Sequence, residues 1–261
     1  MAVAGKIDPM EQFQVEPVLG RHLMIGGFDL SFTNSALFMV VVFVLLAVFV
    51  SGGLKRQLIP GRWQVMVEGA VGFIDDMMRV NIGPEGKAFA PYIFSLFFFI
   101  LFANFIGVLP LAILPHLHTF AVTSHITVTA VLAFVSFAIV LIVGFARHGL
   151  KFFSLFVPHG APAWLMPIII PVEFVSFMVR PFSLGLRLFV AMTAGHILLE
   201  VFGSFVVQGF NAGGTLGPVV SVLSFVMIVG VSALELLVCA IQAYVFALLT
   251  SLYLNDAVHL H

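Results

Sequence analysis

Several ionisable side chains interrupt the long apolar runs in the C-terminal part of the chain. The residues concerned are Glu173, Arg180, Arg187, His196, Glu200 and Glu235. Each ionisable group near the centre of a lipid bilayer costs about 2.5–3.5 kcal/mol or more, so such residues mark functional sites by default. A histidine beside carboxylates can exchange protons near neutral pH. These residue types therefore predict a proton route through a membrane.

One stripe of charged residues follows the first of two long apolar helices. Glu173, Arg180 and Arg187 are spaced by seven residues and fall on roughly one helix face. Arg187 lies about midway along its segment and stays protonated, so it is a fixed charge and not a proton carrier. Arg180 lies closer to the end of the segment. It fits either a functional role or that of a residue whose side chain extends to the lipid headgroups.

A second stripe combines an imidazole with carboxylates. His196 follows Arg187 by nine residues and points almost the opposite way, with Glu200 one turn further on. On the next helix, Glu235 and Gln242 share a face. Antiparallel pairing of the two helices would bring Glu235 close to His196, either as a proton relay or as a static buried pair.

The elements that must hold these residues are membrane helices. The chain is 61% hydrophobic and only 9% charged, with a mean hydropathy of +1.18, and this leaves too little polar surface for a soluble globule. Apolar runs reach roughly the 20 residues that a helix needs to cross hydrocarbon. We therefore predict an all-α integral membrane protein with about five transmembrane helices and one interfacial amphipathic helix at about 63–82.

The predicted domain organisation is an arm followed by one membrane domain. Residues 1–32 form an outer-side N-terminal arm, and residues 33–261 form the membrane domain. The last two apolar segments are longer than a perpendicular span requires, which predicts a strongly tilted hairpin over about 164–254 with a turn near 208–218.

Basic residues between the spans predict the orientation of the chain. They are confined to two loops, at Lys55, Arg56, Arg62, Arg79 and Lys87, and at Arg147 and Lys151. Loops rich in Lys and Arg face the cytoplasm, so the N-terminus is expected outside and the C-terminus inside.

A set of motifs resembles subunit a of the F-type ATP synthases, in the branch shared by mitochondria and alphaproteobacteria. The matching stretches are Arg180-Pro-Phe-Ser-Leu-Gly-Leu-Arg187-Leu-Phe, Met192-Thr-Ala-Gly-His196, Glu235, Gln242-Ala-Tyr-Val-Phe-Ala-Leu-Leu-Thr and Phe102-Ala-Asn104-Phe-Ile-Gly107-Val-Leu-Pro110. They cover roughly residues 60 to 255. One departure is Ala191, where the family usually has Asn, so no polar role is carried over to that position.

The resemblance implies a proton-conducting stator that forms two offset half-channels against a ring of c subunits. The implied setting is a bacterial inner membrane, with the c-subunit ring, the subunit b peripheral stalk, other ATP synthase subunits and membrane lipids as partners, and with ATP chemistry on other subunits. Arg187 would govern proton release from the rotor, and Glu173 would line the inner half-channel. The outer half-channel would use His196, Glu200 and Glu235, with His125 at its outer mouth, and Gln242 and Asn104 are further candidates for proton translocation.

Other function classes have weaker support in the sequence. A self-contained proton-coupled transporter is the main alternative, although such folds usually show two related halves with broken helices, and none are evident. An intramembrane hydrolase would need a base near its nucleophile, whereas Ser183 lies near arginines. We expect no cofactor and no metal, since His116 and His118 have no acid nearby. A formal net charge of -1 argues against nucleic acid as a partner.

Overall fold

The computed structural model describes residues 24–25, 28–29, 31, 33–53, 61–108, 121–157, 164–211 and 216–259. Most of the predicted N-terminal arm therefore lies outside the described residues, as do Lys55, Arg56, His116 and His118. Within the arm, β1 (Met24–Ile25) and β2 (Phe28–Asp29) pair antiparallel. The other regular elements in the described part of the chain are helical, which confirms the predicted fold class apart from this small strand pair.

Five helices are long and apolar enough to cross a membrane, as predicted. They are α1 (Asn34–Gly53), α3 (Ala90–Val108), α4 (Ile126–His148), α5 (Met166–Asn211) and α6 (Leu216–Val258). Helices suit this environment because each satisfies its own backbone hydrogen bonds where water is absent. The remaining helix, α2 (Arg62–Asn81), combines charged and apolar residues over 20 residues and agrees closely with the predicted amphipathic segment. Its position at the membrane interface stays a prediction.

The two C-terminal helices are much longer than a perpendicular membrane span. α5 has 46 residues and α6 has 43. At a rise of 1.5 Å per residue each exceeds about 60 Å, roughly twice the hydrocarbon thickness. This length supports the predicted strong tilt, although the tilt itself stays a prediction. Pro171 and Pro181 lie inside α5 without ending it, a tolerance typical of membrane helices.

The predicted turn between these helices was too long. We expected irregular chain over about 208–218, but α5 continues to Asn211 and α6 already begins at Leu216. Pro218 lies in the first turn of α6, where the backbone N–H groups have no helical partner and the fixed φ of proline suits the helix. A proline near the turn was therefore part of a helix start and not of the loop.

Close packing divides the chain into two compact units. The first comprises residues 1–44, 101–125 and 189–242, and the second comprises residues 45–100, 126–188 and 243–261. Four helices, α1, α3, α5 and α6, contribute residues to both. The single membrane domain over 33–261 stays a prediction.

In the first unit, α5 and α6 run antiparallel. The Ser221 hydroxyl donates to the backbone oxygen of Val206 at 2.9 Å, and further along the pair the Cys239 thiol lies 3.8 Å from the Met192 sulfur. Contacts move backward along α5 as they move forward along α6, so the two helices form a hairpin. The two helices of this hairpin bring the candidate functional side chains together.

In the second unit, α2 is attached to the end of α1 and to α6. The Trp63 indole N–H donates to the backbone oxygen of Phe49 at 3.1 Å, and the two rings pack edge to face with centroids 6.0 Å apart. At the other end of α2, the Asn81 amide donates to the Ser251 hydroxyl at 2.7 Å. The amphipathic helix is therefore anchored at both ends.

The end of α4 is held by polar contacts and by a folded-back segment. Arg147 pairs with Glu85, and the hydrogen bond and charge of its guanidinium lower the pKa of that carboxyl below its ordinary value. His148 contacts the backbone oxygen of Val258 at 3.1 Å. The 3₁₀ segment Gly149–Phe156 then returns over the helix end and buries Phe152.

Gly144 leaves the space that the Phe152 ring occupies, and this predicts a specific loss of stability. A Cβ at position 144 would overlap that ring, whose residue is only 1% exposed and cannot easily move. We expect Gly144→Ala to destabilise the protein by about 1–3 kcal/mol, the usual cost of overpacking. Gly69→Ala is the matched control, since a Cβ there meets nothing within 4 Å and alanine favours the helix.

The measurement is the midpoint of thermal unfolding of both variants in one detergent, compared with the unmodified protein. A midpoint for Gly144→Ala equal to that of Gly69→Ala would contradict the proposed packing.

Candidate functional site

A buried imidazole and a buried carboxylate meet in the first unit. The Nδ1 atom of His196 on α5 lies 3.4 Å from the Oε1 atom of Glu235 on α6. Their residues are 9% and 3% exposed. The separation is longer than a normal hydrogen bond and corresponds to an electrostatic contact that a small movement could tighten. Antiparallel pairing thus brings these two residues together, as the spacing in the sequence predicts.

Two glycines of the matching motifs, Gly107 and Gly195, lie against the pair, although neither was predicted as a site residue. A Cβ at Gly195 would lie 2.6 Å from the Glu235 Oε1 atom, so only glycine leaves room for the carboxylate in its present position. A Cβ at Gly107 would lie 2.8 Å from the Cβ of Ala121 and 3.4 Å from His196 Nε2. The available signal was the small-residue pair Ala194-Gly195 directly before His196.

Buried polar atoms continue around the pair. The Nδ2 atom of Asn104 donates to the backbone oxygen of Cys239 at 3.3 Å. Within the described part of the chain, no hydrogen bond is made by His196 Nε2, either Glu235 carboxylate oxygen, Asn104 Oδ1 or Thr123 Oγ1. Buried polar atoms are normally satisfied by protein groups or by water, so this cluster favours a hydrated environment.

The other residues predicted for the outer half-channel belong to the same unit. Glu200 lies one turn beyond His196 on α5 and is half-buried, whereas Gln242 on α6 is 7% exposed. His125 is half-buried immediately before α4. The neighbouring Ser124 accepts a hydrogen bond at its backbone oxygen from the Thr193 hydroxyl, at 3.3 Å.

Arg187 presents its charge outward in the second unit. Its side chain is exposed, and it forms no hydrogen bond or ion pair with the residues described here, apart from a longer-range electrostatic interaction with Tyr253. A permanently protonated guanidinium without a carboxylate partner is costly in hydrocarbon. Among the described residues, none neutralises this charge directly.

Arg180 is held within the second unit. Its guanidinium pairs with the Asp256 carboxylate at 2.7 Å and lies over the rings of Tyr253 and Phe177, at 4.9 Å and 5.3 Å from their centroids. The side chain is therefore engaged by α6 in this structure, and whether it also reaches the lipid headgroups stays a prediction. Sequence analysis missed Asp256 because the predicted span ended at Leu254.

Glu173 is the remaining charged residue of the stripe on α5. Its side chain is half-buried, and it makes no ion pair with a cation in the described ranges. The three residues spaced by seven therefore have different surroundings. Glu173 is half-buried without a cation partner among the described residues, Arg180 is ion-paired and Arg187 is exposed.

No group of three or more His, Cys, Asp or Glu side chains with the geometry of a metal site occurs in the parts of the chain that the structure describes. Proton transfer requires no such group. An imidazole beside a carboxylate, as at His196 and Glu235, is a type of pair that can exchange protons.

Comparison with known proteins gives a consistent result over the whole chain. The family model described as ATP synthase A chain matches residues 34–255. A protein named ATP synthase subunit a from Sphingopyxis alaskensis is 66% identical over 261 residues, covering 100% of this chain and 99% of the relative. Proteins with the same name from Zymomonas mobilis and Rhodospirillum rubrum are 56% and 44% identical, covering 100% and 97% of this chain and 100% and 99% of the relatives.

These organisms are alphaproteobacteria, which agrees with the branch that the sequence motifs resemble. The match covers nearly all of the membrane helices and includes α5 and α6, which carry the site. The chain belongs to the ATP synthase A chain family.

Proposed function

We propose that the chain is the proton-translocating stator subunit a in the membrane sector of a rotary F-type ATP synthase. The observation that carries this function is the buried His196–Glu235 contact on helices of which one also carries the outward-facing Arg187. The subunit is not catalytic, because ATP chemistry takes place on other subunits of such complexes. Its family membership supports this function over a self-contained proton-coupled transporter.

The outer half-channel uses the polar cluster of the first unit. His196 and Glu235 are close enough for a proton to pass between them, and buried polar atoms of Asn104 and Thr123 extend the polar lining. Glu200 and Gln242 lie one and two turns along the same helices and continue the route. His125 follows Ser124, which contacts Thr193 on α5, and is proposed to line the route at that level.

Arg187 separates the two half-channels electrostatically. Its unpaired, outward-facing charge suits contact with a carboxylate on the c-subunit ring. As that carboxylate approaches, the positive charge favours its ionised form and so promotes release of its proton. The same charge repels a proton that would otherwise cross directly. One proton that moves down a membrane potential of 100 mV releases about 2.3 kcal/mol. In this proposal the proton crosses the membrane by way of the rotating ring, so the released energy is coupled to rotation.

The inner half-channel begins at Glu173, which lies on the Arg187 side of α5. Its half-buried and unpaired carboxylate can accept the released proton. Arg180 is proposed as a positioning residue, since its ion pair with Asp256 joins the C-terminal end of α6 to α5 close to Arg187.

The c-subunit ring, the subunit b peripheral stalk and membrane lipids are the proposed neighbours in the complex. Apolar side chains such as Val222, Phe225 and Val226 of α6 are about 60% exposed and need an apolar environment outside this chain. The proposed location is the bacterial inner membrane. Basic residues after α1 and after α4 favour an orientation with the N-terminus outside and the C-terminus in the cytoplasm. Purification of the chain as a proton-transporting monomer, without a ring of small subunits, would support the transporter instead.

Arg187 is proposed to control proton release and not to hold the fold. We expect Arg187→Ala to abolish ATP-driven proton pumping while the complex still assembles, because the side chain makes no ion pair in the described structure. Acidification of inverted membrane vesicles measures the pumping. Arg62→Ala, which removes an exposed arginine of α2, is the control and should pump normally. Normal pumping by the Arg187 variant would refute the role.

Glu173 is proposed to line the inner half-channel. Glu173→Gln keeps the shape of the side chain but removes its charge, so we expect slower proton flux in both directions without a proton leak. Flux is measured in vesicles over a range of pH, with Glu68→Gln at an exposed position of α2 as the control. Equal flux in the two variants would leave Glu173 without a function in transport.

Gly195 sets the distance between His196 and Glu235. In Gly195→Ala the new methyl group would displace the flexible end of Glu235, so the fold should persist while proton transfer slows. A displacement of about 1 Å at a reacting group can reduce rates up to a hundredfold, and we expect a decrease of roughly tenfold or more. Gly203→Ala on the same helix is the control, since a Cβ there meets nothing within 4 Å.

The readout for both glycine variants is the initial rate of ATP-driven pumping, normalised to the amount of assembled complex. If the Gly195 variant pumps as fast as the Gly203 variant, close contact between His196 and Glu235 is not needed for transport.

A further inference from the structure

Two adjoining cavities in the second unit share Asp75 and Lys87. The first has a volume of about 330 Å³ and is otherwise apolar, with Val67, Ile74 and Phe94 among its lining residues. The second has a volume of about 290 Å³, and Arg79 adds a further charge to its lining. Each is close to the lower limit of typical ligand sites, roughly 300 Å³. Together they form one cleft with an apolar part and a charged part.

The charged part of the cleft contains groups of both signs that do not pair with each other. Asp75 is half-buried and Lys87 is exposed, and neither makes an ion pair with any residue that the structure describes. Arg79 is only weakly engaged, 3.9 Å from Asp76 with both side chains 76% exposed. Glu85, the other acid nearby in sequence, is occupied by Arg147. A ligand that carries both a cation and an anion would satisfy these groups together.

The position of the cleft restricts the kind of ligand. Its walls are the end of α1, the amphipathic α2 and the start of α3, so it lies where two apolar spans meet charged chain. Trp63 and Val71 of α2 are about half exposed, which suits contact with a lipid phase. Phospholipids are the molecules that combine an apolar chain with a charged headgroup at this level of a membrane.

We propose that this cleft binds a phospholipid with an ethanolamine headgroup. One acyl chain occupies the apolar cavity, the phosphate lies near Lys87 and Arg79, and the ammonium lies near Asp75. Charge complementarity selects this headgroup. An anionic lipid would offer Asp75 no cation, and the methylated ammonium of a choline headgroup cannot donate a hydrogen bond to a carboxylate. The site is separate from the proposed proton route and does not depend on it.

Photo-crosslinking in the complete reconstituted complex tests the location and the headgroup together. The probe is phosphatidylethanolamine with a diazirine on one acyl chain, and labelled peptides are identified by mass spectrometry. We expect labelling on peptides that contain Val71, Ala90 or Phe94. Excess phosphatidylethanolamine should compete, whereas phosphatidylglycerol and phosphatidylcholine with the same chains should compete much less.

Charge variants add a second test of the headgroup contacts. We expect Asp75→Asn and Lys87→Gln each to lower labelling of the cleft by roughly two- to fivefold, as for loss of one exposed ion pair. Glu68→Gln and Lys151→Gln are matched controls, since neither residue lines the cleft, and they should label normally.

Equal competition by the three lipids would overturn the headgroup assignment. Labelling elsewhere but not in the cleft would overturn the site, including the case in which a helix of another subunit covers it. If a charge variant fails to assemble, the competition experiment on the unmodified complex decides the proposal by itself.

Discussion

Close contact between α5 and α6 is the constraint on which the candidate site depends. At Gly195 the backbone of α5 directly faces the Glu235 carboxylate, and this allows the carboxylate to lie 3.4 Å from the imidazole of His196. In a medium of low dielectric constant, electrostatic interactions are strong and isolated polar groups are costly. Greater separation of the helices would leave two ionisable side chains in apolar surroundings without each other.

Arg180 and Arg187 show how one residue type serves two purposes on one helix face. The first is satisfied inside the chain by Asp256 and by aromatic rings, so its charge contributes to packing. The second is exposed and has no such partner in the described structure. Asp256 neutralises Arg180 within the chain, whereas Glu173 on the same stripe has no cation partner among the described residues.

Much of the fold could be predicted from the sequence, because span number and the amphipathic character of α2 depend on local composition. Long runs without charge identify helices directly, and charge on one side of a segment identifies a surface helix. The pairing of Arg180 with Asp256 and the role of Gly195 could not be predicted in this way. Both depend on which distant residues face each other across α5 and α6, and spacing along one helix does not determine the partner side chain.

The site itself was predicted in part. Seven-residue and four-residue spacings placed the ionisable residues on stripes, and antiparallel pairing suggested the contact of His196 with Glu235. Thr123 and the two glycines were not among the predicted site residues, because their importance comes from burial and close packing in the folded chain. The transport roles of the individual residues remain proposals that rest on this geometry and on charge.

Trp63, which anchors α2, can also serve as a fluorescent reporter of its surroundings. The chain contains two tryptophans, and their environments differ. The indole of Trp63 is hydrogen-bonded to the end of α1, whereas Trp164, just before α5, is 77% exposed. Indole fluorescence responds to hydrogen bonding and to polarity, so replacing either tryptophan would leave a single indole that can be excited apart from the three tyrosines. The protein thus contains an optical reporter for the junction of α1 with α2 and another for the beginning of α5, without an added dye.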